Sequence, residues 1–141
     1  MTKLIERLTT AFKLTEDLVD SLSDDALKLS LGDLPSNTIG EQIWCMVGAR
    51  ESYQQAIIHS EWSGFSCSLT DVSSHSSVSD SLKNSSESCI DYIQSIEPNS
   101  IQTDFLFLLL EHEIQHHGQL IRYVYGNKLP FPDSWKDRYT V

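Results

Sequence analysis

The segment from Phe105 to Tyr125 constrains the fold most, because it is long, rich in leucine and free of proline. Its apolar residues recur at intervals of three and four, which is the spacing of one face of an α-helix. The predicted inner face carries seven residues: Phe105, Leu108, Leu109, His112, His116, Gln119 and Tyr123. His112 and His116 stand one turn apart on this face, so the helix is expected to direct two imidazoles inward.

Two inward imidazoles need polar partners, because burying an unpaired polar group costs free energy. A divalent metal satisfies both at once, whereas the alternative is a pair of core histidines bonded to neighbouring groups. The segment also matches HExxH, in which Glu113 would be the base of a zincin protease. A zincin needs a further ligand downstream, and no histidine follows His117, so this interpretation is disfavoured.

The net charge of −10, from twenty acidic and ten basic residues, argues against binding to nucleic acid or to an anionic membrane surface. No stretch reads as a signal peptide or reaches membrane-spanning length, so we expect a soluble cytoplasmic protein. The length of 141 residues suits one domain over residues 1–141. Three widely spaced cysteines do not suggest a disulfide scaffold.

Amphipathic patterns predict three further long helices, so the chain is expected to form an all-α four-helix bundle. The predicted helices run from Thr2 to about Leu22, from Asn37 or Thr38 to about His59, from Ser77 to Glu97, and from Ser100 or Thr103 to Gly126. Thr38 and Glu41 match a capping box. A short helical turn is expected near Ala26. The serine-rich connection 60–77 between the second and third long helices is long enough for a crossover.

Specific predictions can be made for four individual residues. Arg50, a charged residue in the second helix's inner face, is expected to pair with an acid across the bundle or to lie near its open end. Gly118 would allow another helix to approach closely. The proline-rich tail after Lys128 is expected to pack along the bundle without forming a helix, with Trp135 and Tyr139 offering a surface for a homodimer.

Two segments together resemble the DinB/YfiT-like family of four-helix-bundle metalloproteins. The first is His112-x-x-x-His116-His117-Gly118-Gln119-Leu120, which is similar to that family's fourth-helix motif, and the second is the segment 38–53. The family usually places a third histidine ligand in its second helix, and Cys45 occupies that position here. The resemblance implies a divalent metal, most often zinc, with nickel, manganese or iron as alternatives.

The implied ligands are His112, His116 and Cys45, while His117 is expected at the surface or in support of the ligands. Cys45 is either a thiolate ligand or a small buried apolar residue. The resemblance implies a metal-dependent hydrolase or thiol transferase acting on a small molecule. No catalytic residue is assigned, and Gln119, Tyr53 and Arg50 are candidates to line the site. The alternative is a non-catalytic bundle with a degenerate metal site, acting as a dimeric stress-related or structural protein.

Overall fold

A computed structural model describes residues 1–141 and contains six helices and no strand. The helices are α1 (Thr2–Asp20), α2 (Asp24–Leu27), α3 (Ile39–His59), α4 (His75–Gln94), α5 (Ser100–Gly126) and α6 (Asp133–Tyr139). The predicted all-helical architecture is confirmed, and so are its four long helices and the short turn that is α2. None of the six helices combines the length and apolar character that a membrane crossing requires.

The start of α3 follows directly from its sequence. Thr38 Oγ1 accepts the backbone N–H of Glu41, and the Glu41 carboxylate accepts the backbone N–H of Thr38 at 2.7 Å. These two bonds satisfy backbone donors that the first helical turn leaves without partners. The predicted capping box is therefore confirmed, and it fixes where α3 begins.

The four long helices pack so that each one contacts two others: α1 lies against α4 and α5, and α3 lies against the same two helices. Two apolar clusters fill the interior. One includes Leu18, Ile43 and Trp135, and the other includes Phe12 and Leu106. Buried Arg50 lies over Phe12 of one cluster and buried His117 packs against Trp135 of the other, so a buried polar layer adjoins both clusters.

The chain's tail differs from the prediction, because residues 133–139 form α6. Pro132 precedes the first turn, and a proline there costs nothing since a helix's first N–H groups have no partner inside the helix. Trp135 is fully buried and its Nε1 donates to the Leu14 carbonyl at 2.6 Å. The expectation that Trp135 offers a dimer surface is therefore wrong, and Tyr139 is half-buried.

The buried face of α5 is rotated from the predicted one. Its buried residues are Leu106, Leu109, Glu113, His116, His117, Leu120, Tyr123 and Val124. Leu108 and Gln119 are exposed. His117 is fully buried, so the first of its two predicted positions, at the surface, is wrong. A Cβ added at Gly118 would meet nothing within 4 Å, so the predicted close approach of another helix there is wrong. Glu113 turns inward because it has a buried partner, described below.

Candidate metal centre

Cys45 on α3 and His112 and His116 on α5 come together because these two helices pack against each other. One ligand atom from each residue lies within 4.8 Å of the other two, and Cys45 Sγ is 3.6 Å from His112 Nε2. Zinc bond lengths of about 2.3 Å to sulfur and about 2.0 Å to nitrogen give tetrahedral edges of roughly 3.3–3.6 Å. The Cys45–His112 distance already matches such an edge, so the donor set fits a zinc-type ion with a fourth position open.

A hydrogen-bonded chain orients His116. Its Nδ1 lies 2.6 Å from Gln42 Oε1, and the amide oxygen can only accept, so Nδ1 carries the proton and Nε2 keeps a free lone pair. Gln42 Nε2 donates to Asn37 Oδ1 at 2.8 Å, and the Tyr123 hydroxyl donates to the same oxygen. Metal-bound histidines are commonly held in this way through their second nitrogen. Gln42 is a buried residue of α3, and no local spacing in the sequence indicated its bond to His116.

His112 carries an unsatisfied polar atom on the ring that faces Cys45. Its Nδ1 is buried and has no hydrogen-bond partner, and only Ser134 Oγ shares that condition among the buried side-chain atoms. The ring centroids of His112 and His116 are 4.6 Å apart. Buried polar atoms are nearly always paired, so the unpaired Nδ1 is an exception in this core. The nitrogen of His112 that faces Cys45 is the other one, Nε2.

Burial sets the protonation of the three donors. It lowers the pKa of His112, and together with neighbouring His112 it lowers the pKa of His116 to about 4. Both imidazoles are therefore neutral near pH 7, as metal ligation requires. Burial raises the pKa of the Cys45 thiol, so the metal-free protein carries a thiol whose proton is released when a metal binds.

Arg50 and Glu113 form a fully buried ion pair. Arg50 Nη2 lies 2.6 Å from Glu113 Oε1, and Arg50 Nε donates to Oε2 at 3.3 Å. Arg50 also donates to the Leu82 carbonyl and lies over the Phe12 ring at 4.0 Å. The predicted pairing of Arg50 with an acid across the bundle is confirmed. Neither side chain is free, so Arg50 cannot line a substrate site and Glu113 cannot be a zincin base.

His117 links this ion pair to the tail. Thr15 Oγ1 donates to Glu113 Oε1 and lies 2.8 Å from His117 Nε2, while His117 Nδ1 lies 2.6 Å from the Tyr139 hydroxyl. A neutral His117 protonated on Nε2 satisfies the whole chain, because it donates to Thr15 and accepts from Tyr139. Burial lowers the pKa of His117 to about 4, which agrees with this neutral form.

The remaining predicted site residues lie outside the donor cluster. Tyr53 is eight residues beyond Cys45, which is about 12 Å along a helix. Its ring packs against Trp62 at a centroid distance of 5.0 Å. Gln119 is exposed on the side of α5 that carries His112, and it makes no hydrogen bond with the donors. The role of Gln119 in lining a ligand site therefore stays a prediction, which a structure with a bound ligand would test.

Cys45 and His112 are half-buried, so the donor cluster opens at the surface between α3 and α5. Five surface cavities of the protein are lined by other residues and by none of Cys45, His112 and His116.

Comparisons of this chain with family models, with curated proteins and with solved structures each give no match. The case for a functional site at Cys45, His112 and His116 therefore depends on the geometry described above. The resemblance to DinB/YfiT-like proteins depends on the quoted motif residues alone.

Proposed function

We propose that this protein is a DinB-like metal-dependent enzyme in which Cys45, His112 and His116 hold a zinc-type ion. The observation that carries the proposal is the grouping of Cys45, His112 and His116 within 4.8 Å of one another, together with the bond from His116 Nδ1 to Gln42 that leaves Nε2 without a proton. Metal-bound histidines commonly use their second nitrogen in this way. Three protein ligands leave a position for a substrate, as in catalytic zinc sites.

The direction of the helices supports the DinB-like bundle with a crossover. Arg50 bonds to the Leu82 carbonyl, and four residues later Gln54 bonds to the Ser88 carbonyl, so contacts advance together along α3 and α4. Two consecutive helices that run in the same direction need a connection that returns along the bundle. The segment 60–74 between them is long enough to do so.

Thiol transfer is the reaction class that this site supports better than hydrolysis. A divalent metal at the site would supply one effect, a lowered pKa for a bound thiol or water. The ordinary pKa of a thiol is about 8.5 and that of water about 15.7, so a thiol needs the smaller shift. Glu113 is held by Arg50 and is unavailable to assist as a base. An activated thiol needs no such base, and we therefore propose a small thiol as one substrate.

The alternative proposal is a non-catalytic bundle that retains the scaffold and acts as a dimeric structural or stress-related protein. It is favoured by the position of the three donors outside these five surface cavities, because most small-molecule sites are concave. A homodimer surface would then lie on exposed apolar residues of α5, among them Phe107, Leu108 and Ile114.

Metal content per chain tests the proposal. We expect protein purified without chelator, or supplied with zinc, to hold one ion per chain, and we expect Cys45→Ala and His112→Ala to lose it. Cys67→Ala and His59→Ala are matched controls, since the first removes another half-buried thiol and the second an exposed imidazole. Wild-type protein without metal after zinc supply, or equal loss in the controls, would contradict the proposal.

A thiol-activity assay separates the two proposals once metal is bound. The enzyme proposal expects the zinc-loaded protein to accelerate reaction of a small thiol with an electrophile, and the acceleration should disappear in Cys45→Ala. A loaded protein with no acceleration over free zinc would favour the non-catalytic bundle.

A further inference from the structure

We propose a second binding site, for a small carboxylate with an apolar body, in a cavity between α1, α5 and α6. The cavity has a volume of about 370 Å³, which lies within the range of small-molecule sites. Its basic residues are Lys3, Arg7 and Arg138, and apolar side chains line the wall between them. This combination of positive charge and apolar surface is what an amphiphilic anion requires.

The charge at this cavity opposes the charge of the whole chain. The protein has a net charge of −10 and only ten basic residues, yet three of them line this cavity with a single acid, Glu6. Glu6 is paired with Lys3 at 2.7 Å. Arg7 and Arg138 have no ion-pair partner in the structure. Arg138 lies over the Tyr139 ring at 5.2 Å, but neither guanidinium group is paired with a carboxylate. The forked donors of both arginines are suited to binding one.

The apolar wall of the cavity determines the chemistry of the part of the ligand beyond its carboxylate. Leu14 is buried, Leu110 is half-buried and Ile114 is 37% exposed, so together they present a graded apolar surface beside the arginines. A carboxylate without an apolar body would leave this apolar surface exposed to water. An uncharged apolar molecule would leave the two guanidinium groups unpaired. The chemistry at the cavity thus selects for both parts of an amphiphile.

This site is separate from the donor cluster on the same helix. Leu110 and His112 are two residues apart, and so are Ile114 and His116, which places each pair about 200° apart around α5. The cavity therefore lies on the opposite side of α5 from Cys45. Binding there is expected to be independent of metal, so the two proposals fail separately.

The test titrates octanoate into the full chain and monitors the backbone amide signals by NMR. We expect saturable shifts centred on residues lining the cavity, with octanol and acetate binding at least about tenfold more weakly. Arg7→Gln and Arg138→Gln should each weaken octanoate binding about threefold or more, and the double variant about tenfold. Arg122→Gln, an exposed arginine that also lacks an acidic partner, is the matched control and should change nothing.

Three results would overturn this proposal. They are equal binding of octanol and octanoate, unchanged octanoate affinity in the double variant, and an absence of saturable shifts up to millimolar octanoate. Both arginines are exposed, so the variants are expected to fold, and their amide spectra report this directly. Addition of zinc should leave the octanoate affinity unchanged.

Discussion

Replacing Glu113 with glutamine tests the buried polar layer most sharply, because it removes a charge and keeps the shape. Arg50 and Glu113 are both fully buried, so the variant leaves a guanidinium charge without its main partner. Burial alone would raise the pKa of Glu113, but the Arg50 charge and the hydrogen bonds from Arg50 and Thr15 outweigh it and hold that pKa below its ordinary value. The wild-type residue is therefore a carboxylate, and the charge that the variant removes is a real one.

Removing one partner of a buried ion pair costs about 3–5 kcal/mol. Glu16 lies 3.9 Å from Arg50 and compensates in part, so we expect a loss near the lower end, about 3 kcal/mol. Small domains have a total stability of about 5–15 kcal/mol, so the effect is large. Urea unfolding measures it: with a slope of about 2 kcal/mol per molar, the midpoint should fall by roughly 1.5 M.

Two further variants make this test specific. Glu111→Gln changes an exposed acid on the same helix and should alter stability by no more than about 0.5 kcal/mol. The double variant Arg50→Met with Glu113→Leu removes both charges and should recover most of the loss. The reasoning is refuted if Glu113→Gln costs no more than Glu111→Gln. A zincin, by contrast, would lose peptidase activity in Glu113→Gln and keep its stability.

Three other predictions address the donor cluster, the tail and acid stability. Gln42→Leu removes the acceptor of the His116 Nδ1 proton and should weaken zinc binding about 10–100-fold in a chelator competition, where an unchanged affinity would count against the orienting role. Trp135→Ala empties a fully buried site and should cost about 3–5 kcal/mol in urea unfolding, whereas less than about 1 kcal/mol would mean that α6 is not docked. The pKa of His117 falls from 6.5 to about 4 on folding, so the unfolded chain binds the proton first as the pH drops. Metal-free protein should therefore be fully stabilised by this group above about pH 6.5 and lose up to about 3 kcal/mol from it by pH 4. His116 contributes a similar loss, so His117→Gln should show a smaller acid loss than wild type and not a flat profile, and equal losses in the two proteins would contradict the assignment.

Local signals were sufficient where a short segment determines its own structure. Thr38 and Glu41 satisfy each other's backbone within one turn, so their spacing predicted the start of α3 correctly. His112 and His116 lie one turn apart on α5, and this spacing identified them as a pair that the structure brings together with Cys45. In each case the relevant contacts repeat at a fixed helical interval.

The sequence did not determine which side of α5 faces inward. Apolar residues surround that helix on most sides, so its pattern is compatible with more than one rotation. The observed rotation buries Glu113, and it is set by Arg50, which is 63 residues away along the chain. The bond from Gln42 to His116 spans 74 residues. Contacts of this kind depend on how helices dock, which no local spacing encodes.

Substitution with cobalt(II) tests the central claim most directly, because its absorption spectrum reports both ligand type and coordination number. If Cys45, His112 and His116 hold the ion, cobalt-loaded protein will show intense visible bands of a four-coordinate site and a near-ultraviolet thiolate-to-cobalt band. Cys45→Ser should abolish the thiolate band, and Cys67→Ser should leave it unchanged. A six-coordinate spectrum without a thiolate band, or a band that survives Cys45→Ser, would contradict the three-ligand site.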